Sequence, residues 1–145
     1  MFLKLHPGFR VDLLPHLKSF KYHQYLTNQV TPRRPLDLFC QILDASRSMT
    51  LLEEIDLQLV FTHVGLNGYL IEDDLGWEKL DIILSQQAAY PALESLILTI
   101  FMHIDKDVRS LFEDTYCPGV ARVIAERSLS RVSRTKNLVI DVRSI

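Results

Sequence analysis

The sequence predicts one α/β domain, a short solenoid-like stack of strand-helix repeats with a parallel sheet and helices mainly on one face. Three observations point to it. A short apolar template recurs along the 145 residues, an alternating pattern follows it, and the segments between its copies carry apolar residues at helical spacing. Strands joined by helices at such spacing pair in parallel through crossover connections.

The template is apolar-x-x-apolar-x-apolar. Its copies read LKSFKY, LEEIDL, LESLIL and TKNLVI, and in the last of these a threonine holds the first position. The copies start at residues 17, 52, 93 and 135, so their spacings are 35, 41 and 42 residues. Self-similarity at a nearly constant period is typical of stacked repeats, in which each unit buries its apolar side against its neighbours.

Alternation continues after the template in the two middle copies. The apolar set is Ile55, Leu57 and Leu59 in the second copy, and Leu96, Leu98 and Ile100 in the third. Successive strand side chains point to opposite faces, so this pattern predicts one buried and one wetter face. A doubly wound sheet has helices on both faces and nearly continuous apolar strands. A compact α/β sandwich of that kind is therefore the less favoured alternative.

The first two connections are predicted to be helical. Pro35 to Leu43 has proline in its first turn, and its apolar residues fall at helical spacing. Trp77 to Leu84 repeats the pattern and ends before Tyr90-Pro91, because the residue before a proline disfavours the helical conformation.

The third connection is predicted to hold two short helices. Asp105 is a candidate N-cap for the first, whose apolar stripe would run from Val108 to Phe112. Pro118-Gly119 is expected to break the chain, and a second helix is expected from about Val120 to Ser128.

Composition indicates a folded protein with no marked affinity for polyanions. Net charge is -2, with 48% hydrophobic and 23% charged residues. Arg127, Arg131 and Arg134 would share a helix face if that helix continued, but no aromatic residues interleave them, so a solvated face is favoured over a nucleic-acid site. We predict no nucleic-acid partner.

The sequence also predicts an intracellular protein, cytoplasmic or nuclear, with no membrane partner. No apolar run reaches the ~18 residues needed to cross a bilayer. Met1 to Arg10 lacks the apolar core of a secretory signal. Cys40 and Cys117 form no CxxC pair, which favours two reduced thiols in a reducing compartment.

No catalytic, cofactor-binding or metal-ligating residues are predicted, and no cofactor. The chain has no GxSxG elbow, no GxxxxGK[ST] or GxGxxG loop, and no His or Cys at metal-ligand spacing. His63 and His103 follow the two middle strands and would approach one sheet edge, with Asp105 the nearest carboxylate. A small α/β enzyme of unknown reaction is therefore an alternative hypothesis.

Three passages resemble the leucine-rich-repeat-like C-terminal region of fungal (basidiomycete-type) F-box-like proteins: Trp77 to Ser85, Tyr90 to Leu96, and Cys117 to Ala121. The resemblance implies a repeat surface that recognises proteins, whereas recruitment of a ubiquitin-ligase scaffold belongs to a separate F-box that this sequence does not display. The asparagine or cysteine of a standard repeat is also replaced, by Tyr25, Val60 and Phe101, so no asparagine ladder is expected.

The leading functional prediction is a non-catalytic protein-interaction module with an unknown protein partner. Its outward strand positions would bind that partner, and the predicted residues are Lys21, His23, Glu54, Asp56, Gln58 and Thr99. The first and last copies of the template are the weakest. A structural fragment of a longer repeat protein, without independent activity, is thus another alternative. The oligomeric state is not predicted.

Overall fold

A computed structural model describes residues 17–26, 36–45, 51–65 and 75–145. The strands are β1 (Ser19–Leu26), β2 (Glu54–Val64), β3 (Ser95–Ile104) and β4 (Asn137–Ser144). The helices are α1 (Asp37–Ala45), α2 (Trp77–Ser85), α3 (Lys106–Arg109), α4 (Tyr116–Ser128) and α5 (Ser130–Thr135). The strands form an open sheet in the order β1-β2-β3-β4, and every neighbouring pair is parallel. The predicted α/β class with a parallel sheet is confirmed.

The apolar template fixes the register of this sheet. Its second position is held by Phe20, Ile55, Leu96 and Leu138, which are direct lateral neighbours. Its third position is held by Tyr22, Leu57, Leu98 and Ile140, which are lateral neighbours too. Residues in register on parallel strands lie on the same face, so the repeat in the sequence becomes two apolar rows across the sheet.

Burial separates the two faces of the sheet. In β3, Leu96 and Leu98 are fully buried, whereas Ile97 and Thr99 between them are only partly buried. The buried parity of the strands forms one core with apolar residues of α1, α2, α4 and α5. Among the described residues these helices therefore cover one face, and the strand order never reverses as it does in a doubly wound sheet.

The predicted apolar sides of the first two helices are buried as expected. Leu36, Phe39, Ile42 and Leu43 at α1, and Trp77, Leu80, Ile83 and Leu84 in α2, all belong to the core. Phe39 of α1 stacks on Tyr22 of β1, with ring centroids 4.6 Å apart. Gly76 precedes α2 with a positive φ of 96°, a conformation that a residue without a Cβ adopts readily.

The third connection differs from its prediction in two ways. Pro118-Gly119 does not interrupt the helix. α4 already begins at Tyr116, and the amide of Gly119 donates to the carbonyl of Thr115 (3.0 Å). A proline is tolerated in the first turn, where amides have no partner within the helix. The apolar stripe predicted to end at Phe112 is also wrong, because α3 stops at Arg109 and both Leu111 and Phe112 are exposed.

α4 does not continue to Arg134. It ends at Ser128, where Leu129 leaves the helical conformation with φ of -100° and ψ of 35°, and a separate helix, α5, starts at Ser130. Leu129 and Val132 are fully buried, so the change of direction at Leu129 lets both side chains pack into the core.

Tyr22 should make the protein sensitive to alkali. Burial raises the pKa of Tyr22 to about 12 from 10.0, so the folded state disfavours the tyrosinate. The contribution of the neutral Tyr22 side chain to the free energy of unfolding is therefore fully present below about pH 10. It is lost as the pH rises from about 10 to about 12, and the loss is at most about 2 to 3 kcal/mol. Urea titrations across this range should show a shallower loss for Tyr22→Phe than for wild type. Parallel pH curves for the two proteins would contradict the assignment.

Candidate functional site

The side of the sheet opposite the helices is the candidate functional surface. We call it the open face, and it consists of alternate residues from Ser19 to Tyr25, Glu54 to Val60, Ser95 to Phe101 and Asn137 to Arg143. Nearly all of these side chains are partly or fully accessible, and Val60 is the buried exception. The parallel register arranges them in straight lateral rows, four residues wide.

The six predicted binding residues lie together on the open face. Lys21 and Asp56 are lateral neighbours, and Nζ of Lys21 lies 3.7 Å from a carboxylate oxygen of Asp56. Residues His23, Gln58 and Thr99 form the next row across β1, β2 and β3. Glu54 lies two residues before Asp56 on β2. The geometry thus groups all six on adjoining strands, and their role in binding stays a prediction.

The ion pair between Lys21 and Asp56 is partly exposed to solvent. The Lys21 and Asp56 side chains are 42% and 22% exposed, and an exposed ion pair contributes little to stability. Oδ1 of Asp56 has no hydrogen-bond partner among the described residues, although it is shielded from solvent.

Strand β4 extends the open face with residues that the sequence interpretation missed. The guanidinium of Arg143 lies 2.6 Å from a carboxylate oxygen of Asp141 and 5.9 Å from the ring centroid of Phe101. Val139 in the same strand is 52% exposed. The signal was present, because Leu138 and Ile140 fix the parity of β4 and place the odd-numbered residues outward.

The residues that replace the asparagine or cysteine of a standard leucine-rich repeat also meet on the open face. Tyr25, Val60 and Phe101 are lateral neighbours, with Arg143 completing the row. The ring of Tyr25 stacks on that of His23 at 4.8 Å and is 63% exposed. This row adds the aromatic side chains of Tyr25 and Phe101 to one end of the open face.

One of the two histidines at the ends of the middle strands pairs with a carboxylate. Nδ1 of His63 lies 3.3 Å from Oδ1 of Asp105, and both side chains are more than a third exposed. Asp105 occupies the N-cap position of α3 as predicted, but its side chain makes no capping hydrogen bond. His103 is exposed as well. Within the described ranges, no group of three or more His, Cys, Asp or Glu side chains could hold a metal ion.

The C-terminal arginines border a groove that also contains carboxylates. Arg127, Arg131 and Arg134 line it together with Glu78 and Asp81 of α2. Asp81 is only 2% exposed and accepts hydrogen bonds from the amides of Arg131 (3.3 Å) and Val132 (2.9 Å). The helix break at Leu129 thus brings the predicted basic face against acidic side chains of the same chain.

These features define a class: an α/β protein whose parallel sheet has one helix-covered face and one accessible, chemically mixed face. No family model, curated protein or solved structure matches this chain. None of the helices in the described ranges is long and apolar enough to cross a membrane.

Proposed function

We propose that this chain is a non-catalytic protein-interaction module that binds a protein partner through its open face. The observation that carries the proposal is the grouping of Lys21, His23, Glu54, Asp56, Gln58 and Thr99 on three adjoining strands. Parallel strands hold these side chains at a fixed spacing, and such a rigid array of mixed charges suits recognition of a complementary protein surface.

The partner surface should carry both charge signs. Lys21 and His23 lie on β1, the carboxylates of Glu54 and Asp56 lie on β2, and the uncharged residues Ile97 and Thr99 lie on β3. A partner with acidic residues facing β1 and basic residues facing β2 would match this order. The apolar strip formed by Ile97 and the exposed Val139 lies beside these charges and would supply the dehydrated apolar contact that protein interfaces favour.

We further propose that the sheet is a short solenoid-like stack. The same lateral step joins successive copies at the start of each strand. The backbone amide of Glu54 donates to the carbonyl of Lys18 (3.1 Å), that of Ser95 to Glu53 (3.2 Å), and that of Asn137 to Glu94 (2.8 Å). Stacks of this kind present extended binding surfaces, in keeping with the resemblance to the repeat half of fungal F-box-like proteins and with an intracellular location.

Charge reversal on the open face tests the proposed interaction. The double substitution Glu54→Lys with Asp56→Lys should reduce the amount of partner captured from cell extract by at least about tenfold, because it replaces attraction by repulsion at the centre of the face. Quantitative pull-down with the tagged chain measures this effect.

The matched control is a double variant with the same change of charge at two acidic residues outside the open face. Glu113 and Asp114 are both exposed and lie in the connection between α3 and α4, outside the strands. Glu113→Lys with Asp114→Lys should leave the captured proteins unchanged, and urea titration should show both double variants to be folded. Equal recovery of every partner by the two double variants would refute the open face as the binding surface.

A further inference from the structure

We propose that two copies of this chain associate through the outer edge of β4, antiparallel and in a register centred on Val142, and so form one continuous sheet. β4 is the last strand of the sheet, and the backbone amides of Asn137 and Ile145 point inward, toward carbonyls of Glu94 and Met102 (2.8 and 2.9 Å). Hydrogen bonding alternates along a strand, so Leu138, Ile140, Val142 and Ser144 direct their N–H and C=O groups to the free edge.

That edge is largely unpaired in the described part of the chain. The contact that reaches it is from the guanidinium of Arg122, which donates to the carbonyl oxygen of Ile140 at 2.8 Å. Besides the ladder with β3 and the pair of Asp141 with Arg143, the described residues make one further polar contact with residues 137 to 145: a guanidinium nitrogen of Arg109 donates to the carbonyl oxygen of Ile145 at 3.5 Å. An exposed row of this kind is a template for another strand.

The sequence of the edge strand is self-complementary in a single antiparallel register. When the two-fold axis passes through Val142, Asp141 of each copy faces Arg143 of the other. Val139 of each copy then faces Ile145 of the other, and these two side chains are 52% and 51% exposed. Opposite charges and apolar pairs directly across an antiparallel ladder are stabilising.

Neighbouring registers lack this match. A two-fold axis through Asp141 or Arg143 would place identical charges against each other, which is destabilising. The Val142 register also agrees with the backbone, because Val142 presents its N–H and C=O at the free edge and can exchange both hydrogen bonds with its copy. Ile140 would accept from Ser144 of the second copy while keeping Arg122, since a carbonyl oxygen has two lone pairs.

Charge-reversal variants test the partner and the register together. Asp141→Arg and Arg143→Asp each make both cross-strand pairs repulsive, so each variant alone should dimerise at least about tenfold more weakly than wild type in sedimentation equilibrium. Mixing the two variants should restore association, because each arginine of one variant then faces an aspartate of the other. Glu113→Arg is the matched control and should dimerise like wild type.

Two outcomes overturn the proposal. A wild-type chain that stays monomeric at every concentration from micromolar to millimolar has no second copy at this edge, whatever else binds there. Dimers that keep their strength in both single variants, or single variants that fail to associate when mixed, exclude the Val142 register. The open-face substitutions described above lie on β2, so binding to another protein and association through β4 can fail independently.

Discussion

Leu57→Ala should destabilise the protein by about 2 to 5 kcal/mol, the range for truncating a fully buried leucine. Leu57 has no exposed surface and lies in the middle of the central strand β2. Its lateral neighbours in the core are Tyr22 on β1 and Leu98 on β3. Both neighbours are held by their own strands, so the space left by the leucine side chain cannot close easily, and urea denaturation should show the full effect.

The adjacent residue is the matched control. Gln58 follows Leu57 on the same strand but points to the open face and is only partly buried. Gln58→Ala should change the free energy of unfolding by no more than about 0.5 kcal/mol. Similar losses for the two substitutions would mean that both faces of the sheet are packed, which contradicts the one-sided core.

The sequence predicted the sheet well because period-two patterns report burial directly. In β2 the residues that point to the core, Ile55, Leu57 and Leu59, are all apolar. The residues that alternate with them are two carboxylates and an amide: Glu54, Asp56 and Gln58. In every copy the first core-facing residue of the strand is the fourth residue of the template. The in-register pairing of Phe20, Ile55, Leu96 and Leu138 could therefore be anticipated from local sequence.

The third connection was harder to predict because short-range signals conflict there. Pro-Gly normally indicates a turn, but Pro118 falls inside the first turn of α4, where the missing amide costs nothing. The helical spacing of Val108, Leu111 and Phe112 suggested one buried stripe. Only Val108 is buried, and Phe112 instead stacks on Tyr116 with ring centroids 4.6 Å apart.

The candidate surface was predicted in part for a similar reason. Its residues on β1, β2 and β3 follow from the strong copies of the template, whereas β4 follows a weak copy that begins with Thr135. The contact of Arg143 with Phe101 depends on lateral pairing, which joins residues 42 positions apart. Such a contact becomes predictable only once the register of the last strand is known.

One polar residue on an apolar helix side was an overlooked signal. Asp81 lies four residues after Trp77 and three before Leu84, so helical geometry places it on the buried side of α2. A carboxylate in that position needs hydrogen-bond donors from another element. The start of α5 supplies them, and α5 has no capping side chain of its own.

Asp81→Ala should therefore destabilise the protein by about 2 to 3 kcal/mol, because it removes a helix cap and leaves the buried amide of Val132 without its acceptor. Asp81 accepts from the amide of buried Val132 at 2.9 Å and from that of Arg131 at 3.3 Å. It thus acts as an N-cap for α5 that is supplied by a different helix. Thermal and urea denaturation should both report the loss.

Arg131→Ala separates the cap from the ion pair. The guanidinium of Arg131 lies 3.6 Å from Asp81, but its side chain is 52% exposed, so its removal should cost no more than about 1 kcal/mol. Asp81→Asn, which retains one oxygen acceptor, should fall between the two alanine variants. If Arg131→Ala proves as costly as Asp81→Ala, then charge pairing rather than capping of α5 holds α2 against the C-terminal helices.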